Sequence, residues 1–241
     1  MKPTRLTLAL LAGFTLSGAA QATLIDRGGG MLYDDVLDIT WLQDANYAQT
    51  SGYDADGIMT WAEATAWVAD LSYGGYDDWR LPTVLDTGVC RGGNGGENDI
   101  CGYYAKTYDA GTGTVYSELA YMYYVNLGLK APWSPSGDYQ PDFGIFGDGT
   151  TVGQDDVGLV KNLRASDYWS GTEYSTLPWD AYVFTMASGY QDIRNKTNGN
   201  GIIAWAVRPG DVAAPVPEPE TYALLLAGLG LVGVAARRRR G

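Results

Sequence analysis

The seven-residue block Asp77–Thr83 places two carboxylates, a tryptophan, an arginine and a proline side by side. Arg80 stands between the apolar Trp79 and Leu81, so a strand that carried these residues into a core would bring a positive charge with it. A buried charge needs carboxylate or carbonyl partners, and arginine is the side chain best suited to a buried ion pair. Pro82 then ends the strand. We therefore predict that Arg80 ties loops together, with ligand binding as the alternative.

Both ends of the chain have the layout of processing signals. Residues 1–22 combine a basic start, an apolar run and an Ala-Gln-Ala ending, which predicts a secretory signal peptide. Residues 211–221 form a proline-rich linker, and residues 222–241 hold a 15-residue apolar run before four arginines. This last segment predicts a short transmembrane helix whose arginine end stays in the cytoplasm. Residues 23–210 remain, enough for one exported domain.

Charge and the absence of histidine exclude several functions. Between Thr23 and Val212, 26 acidic and 10 basic side chains leave a net charge of −16, which is unsuited to binding nucleic acid. The chain has no histidine, which excludes Ser-His-Asp and Cys-His catalysis and His-ligated metals. Its two cysteines, Cys90 and Cys101, bracket a glycine-rich segment, and export predicts that they form a disulfide.

The first half of the chain predicts one hairpin and two helices. The apolar stretches Met31–Tyr33 and Ile39–Leu42 flank polar residues, as in a β-hairpin with Trp41 in the core. Thr60 and Glu63 predict a capping box for a helix over residues 60–72, ended by the glycines at 74 and 75. A second helix is predicted from Ser117 through Asn126.

The last part of the domain predicts an antiparallel meander. Its four strand-like runs, separated by turn residues, are Tyr168–Tyr174, Trp179–Met186, Tyr190–Lys196 and Ile202–Arg208. Apolar residues occur on both faces of the second run, which predicts that both faces are largely covered.

The stretch 131–165 is rich in Gly, Pro and Asp and lacks a clear period, so we predict a long functional loop. Its aromatic residues are candidates for ligand binding, because aromatic faces stack on sugar rings and tolerate exposure. They are Trp133, Tyr139, Phe143 and Phe146. The alternative is that they pin the loop to the domain.

The tail resembles the PEP-CTERM sorting signal. It contains Pro217, Glu218 and Pro219, followed by the apolar run and the arginine cluster in the order of that signal. The resemblance implies recognition by an exosortase, cleavage near the Pro-Glu-Pro and release or attachment at the surface of a Gram-negative-type cell that usually makes exopolysaccharide. The tail would be in the membrane only before processing.

The body resembles the Lcl C-terminal domain family over residues 31 to 208. The matching blocks are Ile39-Thr40-Trp41-Leu42, Trp61 with its helix, Trp79-Arg80-Leu81-Pro82-Thr83, Tyr168-Trp169-Ser170-Gly171-Thr172 and Ala204-Trp205-Ala206-Val207-Arg208. The resemblance implies an α+β, C-type-lectin-like fold with antiparallel strands, two helices and long loops. In that fold Trp79, Arg80, Pro82, Trp169 and Arg208 would be structural. Ala206 departs from the family, where many relatives have cysteine.

The related formylglycine-generating enzymes share an Arg-Leu-Pro-Thr block but need a reactive cysteine pair on copper, and related iron enzymes need histidines. This chain has two cysteines in a glycine-rich loop and no histidine, so we expect no catalysis here. Paired carboxylates such as Asp155 and Asp156 point to opposite faces of a strand, which disfavours glycosidase chemistry. Calcium binding is left as an open alternative, since Asp54, Asp56 and Asp148 supply loop oxygens. The favoured interpretation is that these are solvated turn carboxylates, and no metal or other cofactor is assigned.

These observations predict a secreted, surface-sorted, non-catalytic binding or adhesion module of the extracellular polysaccharide matrix. An enzyme on the related fold and a purely structural matrix protein are the alternatives. The expected partners are an exosortase and a polysaccharide or other glycan.

Overall fold

The computed structural model describes residues 24–92, 100–198 and 200–212. The strands are β1 (Leu24–Gly28), β2 (Met31–Asp34), β3 (Ile39–Leu42), β4 (Gly102–Tyr103), β5 (Tyr108–Asp109), β6 (Thr114–Val115), β7 (Gln154–Val157), β8 (Val160–Arg164), β9 (Asp167–Glu173), β10 (Asp180–Thr185), β11 (Tyr190–Asn195), β12 (Ile202–Ile203) and β13 (Val207–Pro209). The helices are α1 (Tyr47–Thr50), α2 (Trp61–Asp70) and α3 (Glu118–Tyr121), which continues as a π-helical turn over Met122–Asn126. The architecture is therefore α+β.

Two mainly antiparallel sheets form the body of the fold. One has the order β1-β2-β3-β13 and the other the order β12-β9-β10-β11-β4. The predicted hairpin is confirmed, since Met31 pairs with Leu42 and Asp34 with Ile39. The residues between the two paired segments turn the chain because the Asp34 carboxylate accepts hydrogen bonds from the following backbone amides.

The prediction of a four-strand meander is correct only for β9, β10 and β11. The fourth run divides in two: Ile202–Ile203 pairs in parallel with β9, and Val207–Pro209 crosses to pair with β3 of the other sheet. Between them Trp205 is fully buried and donates its indole N–H to the Leu42 carbonyl at 2.7 Å. A continuously apolar run suits either sheet, so its local pattern does not determine which sheet it joins.

Both predicted helices are present. The α2 capping box is complete, with Thr60 and Glu63 in reciprocal hydrogen bonds. The helix ends at Asp70, before the predicted glycines, and Gly74 and Gly75 turn the chain between two bridged tyrosines. Ser117 caps α3 by accepting from the Ala120 amide at 3.1 Å.

The long loop predicted over residues 131–165 is wrong in its last part. Gln154–Val157 and Val160–Arg164 form a hairpin, with Asp155 opposite Leu163. Its acidic residues are typical of a loop, which is why the sequence pattern did not predict the hairpin. One strand is exposed and therefore tolerates acidic side chains, while Val160 and Leu163 on the other strand are fully buried.

The core surrounds three fully buried tryptophans, Trp41, Trp169 and Trp205. The rings of Trp41 and Trp205 lie 4.7 Å apart, and the Trp169 indole donates to the Met59 carbonyl at 2.8 Å. The prediction of Trp41 as a core residue is confirmed, and both faces of β10 are covered as expected.

The predicted disulfide is confirmed. Cys90 and Cys101 are bonded, with their Cα atoms 4.9 Å apart. Cys101 lies in a small apolar cluster with Ile100, Tyr174 and Tyr182. The bond therefore joins Cys90 to the residue that directly precedes β4 of the five-stranded sheet.

In the described part of the chain, no helix has the length and apolar content needed to cross a bilayer. The predicted signal peptide at 1–22 and transmembrane segment at 222–241 lie outside the described residues. Asp211 and Val212, which we assigned to the linker, pack on the domain: Val212 is buried, and Asp211 forms an ion pair with Arg27.

Candidate binding surface

Residues 131–142 form a compact, internally hydrogen-bonded hairpin. Trp133 and Tyr139 face each other across an antiparallel bridge. At the tip, the Ser134 amide donates to the Asp138 carbonyl at 2.8 Å, and the Asp138 amide donates to the Ser134 hydroxyl at 3.0 Å. Because these bonds already order the segment, binding a ligand here costs little conformational entropy.

The hairpin holds two aromatic side chains in solvent. Trp133 is 45% exposed and Tyr139 is 58% exposed, and their ring centres lie 5.2 Å apart at an angle of 63°. Phe143 is 9% exposed and Phe146 is partly buried, so these two candidates face the domain. The four aromatics thus divide into an outward pair and an inward pair that anchors the loop.

Two further residues complete this surface. Gln140 donates its side-chain amide to the Tyr104 hydroxyl and to the Ala131 carbonyl, both at 2.9 Å. Tyr104 is 36% exposed and stacks on Tyr124 with ring centres 4.9 Å apart. We call Tyr104, Trp133, Tyr139 and Gln140 the hairpin surface.

Sequence analysis did not predict Tyr104 or Gln140. The available signal was the consecutive tyrosines 103 and 104, which follow a disulfide cysteine after one glycine in a loop-rich region. Nothing in the local pattern indicated that Gln140, 36 residues later in the chain, bonds Tyr104. Only tertiary structure brings them together.

Two tyrosines, the buried Tyr123 and the partly buried Tyr124, support the hairpin surface from the side of the core. Tyr123 donates its hydroxyl to the Lys130 carbonyl at 2.7 Å, and Tyr124 donates to the Gly189 carbonyl at 2.6 Å. Gly189 has φ +75°, and a Cβ there would lie 2.5 Å from the Tyr124 hydroxyl, so this close approach needs glycine. Burial raises the pKa of Tyr123 and of Tyr124 well above the ordinary value, which keeps both neutral.

Polar side chains lie at the tip and at the base of the hairpin that carries the exposed rings. The Ser136 hydroxyl donates to the Asp138 carboxylate at 2.7 Å, and Lys130 pairs with Asp142. The hydrogen bond from Lys130 lowers the pKa of Asp142. Aromatic faces bordered by hydroxyls, a carboxylate and an ammonium can stack on a ring and bond its hydroxyl groups.

Arg80 has a partner that sequence analysis did not identify. Its guanidinium donates two hydrogen bonds to Glu118, at 2.7 and 2.8 Å, and a third to the Leu81 carbonyl. The carboxylates beside it in sequence do not fill this role. The Arg80 backbone bridges Val207, and the side chain borders a cleft of about 310 Å³ between α2 and residues 79–83. The geometry supports the predicted role of Arg80 as a tie.

The other predicted structural residues lie around the same junction. Arg208 is 8% exposed, donates to both oxygens of Asp78 at 2.7 and 3.0 Å, and lies 4.0 Å from the Tyr76 ring centre. The hydrogen bond from Arg208 lowers the pKa of Asp78 despite partial desolvation. Trp79 is buried, and the Pro82 carbonyl accepts from the Gly171 amide at 2.8 Å.

The carboxylate doublets have separate structural contacts. Asp156 accepts from Lys161 and from the Asn162 amide, and the Asp54 carboxylate accepts from the Asp56 and Gly57 amides. Within the described ranges, no three or more His, Cys, Asp or Glu side chains cluster in a way that could hold a metal ion.

Comparison with known proteins gave a match in the C-terminal tail. The family model for the PEP-CTERM protein-sorting motif matches residues 215–240, including Pro217, Glu218 and Pro219, which lie outside the described residues. The search of curated proteins and the search of solved structures gave no match. The chain therefore carries a PEP-CTERM sorting motif and is a secreted protein that an exosortase sorts to the cell surface.

Proposed function

We propose that the domain is a non-catalytic module that binds polysaccharide in the extracellular matrix of the cell that exports it. The C-type-lectin-like fold and the resemblance to the Lcl C-terminal domain family are part of this proposal. The antiparallel sheets, the two predicted helices and the burial of Trp169 and Trp205 support them.

One observation carries the binding role: Trp133 and Tyr139 are 45% and 58% exposed on a hairpin that its own hydrogen bonds already order. Backbone hydrogen bonds, together with the inward Phe143, hold the segment in place. Exposing two large rings has a hydrophobic cost that contact with a ligand would remove. This arrangement favours binding over the alternative that the rings pin the loop.

The non-catalytic part of the proposal rests on the chemistry of the chain. It contains no histidine, and its only two cysteines are bonded to each other, so neither is a thiolate available to copper. The polar groups at the hairpin surface suit hydrogen bonding to sugar hydroxyls.

Glycan-array binding by protein purified from the surface of the exporting cells tests the proposal, with and without calcium. The variant carries Trp133→Ala and Tyr139→Ala. Tyr53→Ala is the matched control, because Tyr53 is also an exposed aromatic at 54% and lies in another loop. We expect the double variant to lose at least about 10-fold in affinity, as stacking on two rings contributes more than about 1.4 kcal/mol.

The control should bind like the parent, and all three proteins should melt at similar temperatures. Full binding by a well-folded double variant would contradict the proposed site. No binding by the parent to any glycan would contradict the proposed function.

A further inference from the structure

Another exposed aromatic lies in the turn that leads into β10 of the five-stranded sheet, away from the hairpin surface. Trp179 directly precedes β10 and is 59% exposed, more than Trp133. Its carbonyl accepts from the Lys196 amide at 2.9 Å, so a backbone hydrogen bond joins this turn to the residue that follows β11. A solvent-exposed indole has the same hydrophobic cost as the exposed rings of Trp133 and Tyr139.

Charged and aromatic groups border Trp179. The Lys196 ammonium lies 2.9 Å from the Glu173 carboxylate and donates to the carbonyl of Pro178, the residue before Trp179. The Lys196 ammonium also lies 4.8 Å from the centre of the Trp61 ring, and the Trp61 indole N–H donates to the Ser170 carbonyl. Glu173 is 52% exposed, so its carboxylate can accept hydrogen bonds from a ligand. We define Trp179, Glu173 and Lys196 as the Trp179 surface; like the hairpin surface, it combines an exposed aromatic ring with polar side chains.

The two surfaces lie at opposite ends of the β10–β11 ladder. At one end Thr185 pairs with Tyr190, next to Gly189, whose carbonyl accepts from the Tyr124 hydroxyl under the hairpin surface. At the other end Asp180 pairs with Asn195, adjacent to Trp179 and Lys196. Five residue steps separate the ends, about 17 Å at the usual strand rise. The two sets of rings therefore form separate sites.

We infer that the Trp179 surface is a second sugar-binding site and that the domain is bivalent for polysaccharide. This inference rests on the proposed function. The sugar ring would stack on Trp179, while its hydroxyls bond to Glu173 and Lys196. A net charge of −16 between Thr23 and Val212 makes copies of the chain repel each other, which favours a neutral polysaccharide over a second copy as the occupant.

Bivalency gives the protein a specific role in a matrix. Two sites on one rigid domain engage two polysaccharide strands, so one molecule cross-links them. Linked sites also raise the apparent affinity for a dense polysaccharide surface by roughly 100-fold or more over one site.

Stoichiometry is the direct test. Protein purified from the exporting cells is titrated calorimetrically with short fragments of the exopolysaccharide made by those cells. We expect two fragments bound per parent molecule and one per molecule of either Trp179→Ala or the Trp133→Ala/Tyr139→Ala double variant. On immobilised exopolysaccharide, each variant should lose about 100-fold in apparent affinity, and neither should cross-link soluble polysaccharide into a sediment. Tyr53→Ala should match the parent.

Three results would overturn the inference. One fragment per parent molecule, lost only in the hairpin double variant, would refute bivalency and leave the proposed function standing. No binding by the parent would refute both. A fall in sedimentation mass caused by Trp179→Ala would show that the surface joins copies of the chain. Melting temperatures identify any variant that fails to fold, and Glu173→Gln then tests the same site without removing the ring.

Discussion

Arg80→Ala tests whether the Asp77–Thr83 block is structural. The substitution leaves the backbone hydrogen bonds between Arg80 and Val207 intact, at 2.7 and 2.9 Å, and removes the side chain beyond Cβ with its guanidinium. Glu118 then loses both of its hydrogen bonds from Arg80 and keeps the one from the Thr83 amide at 2.7 Å. The Glu118 side chain is only 5% exposed, so an unpaired carboxylate stays buried.

The expected loss follows from the burial of the two partners. Breaking a fully buried ion pair costs about 3–5 kcal/mol, and the Arg80 side chain is 32% exposed, which reduces the value. We expect a loss of about 3 kcal/mol in the free energy of unfolding, which lowers the melting temperature of a domain of this size by about 6–12 °C. Adding Glu118→Gln to Arg80→Ala removes the buried charge and should restore about 1 kcal/mol.

Urea and thermal unfolding of the exported protein provide the measurements. Arg27→Ala is the matched control, because Arg27 also forms an ion pair but its partner, Asp211, has a side chain that is 42% exposed, and the loss of such a pair costs less than about 1 kcal/mol. An Arg80→Ala variant that melts like the parent and no longer binds polysaccharide would show that Arg80 contacts ligand, and our interpretation of the block would be wrong.

Three further predictions concern other parts of the chain. Folding lowers the pKa of Asp78 through its hydrogen bonds from Arg208, so ionised Asp78 stabilises the fold at any pH above its unfolded pKa of about 3.9, and this stabilisation is lost as the pH falls through the folded pKa. Unfolding measured from pH 7 to pH 3 should therefore show the stability difference between the parent and Asp78→Asn shrinking toward zero. A difference that stays constant with pH would refute the assignment. Replacing Cys90 and Cys101 by serine should lower stability by roughly 2–3 kcal/mol, since their loop is short, and calorimetric unfolding checks this; an unchanged melting temperature would argue against it. Mass spectrometry of the surface protein should find neither residues 1–22 nor the arginines at 237–240, and recovery of the arginine cluster would contradict removal of the tail.

Local signals in the sequence were sufficient where one segment makes its own contacts. Thr60 and Glu63 bond each other within one turn, and Met31–Tyr33 pairs with a segment only a few residues away. In both cases the hydrogen-bond partners lie within the pattern that predicts them. The Pro-Glu-Pro sorting motif is likewise contiguous, and it was predicted from the order of its parts.

Partners far apart in the chain could not be predicted in this way. The charge of Arg80 required a carboxylate, but many acidic residues were available, and only the fold selects Glu118, 38 residues away. The same limit applies to the hairpin surface. Trp133 and Phe143 belong to one loop of uniform composition, yet one ring is exposed and the other is buried.

The sequence by itself determined that the chain is exported, that its two cysteines pair and that short segments form particular helices and hairpins, because these properties depend on contiguous residues or on composition. Tertiary structure decided that the last apolar run divides between two sheets, that Glu118 balances Arg80, and that Trp133, Tyr139 and Trp179 remain in solvent. The physical reason is that burial and ion pairing depend on which distant surfaces meet when the core closes around Trp41, Trp169 and Trp205.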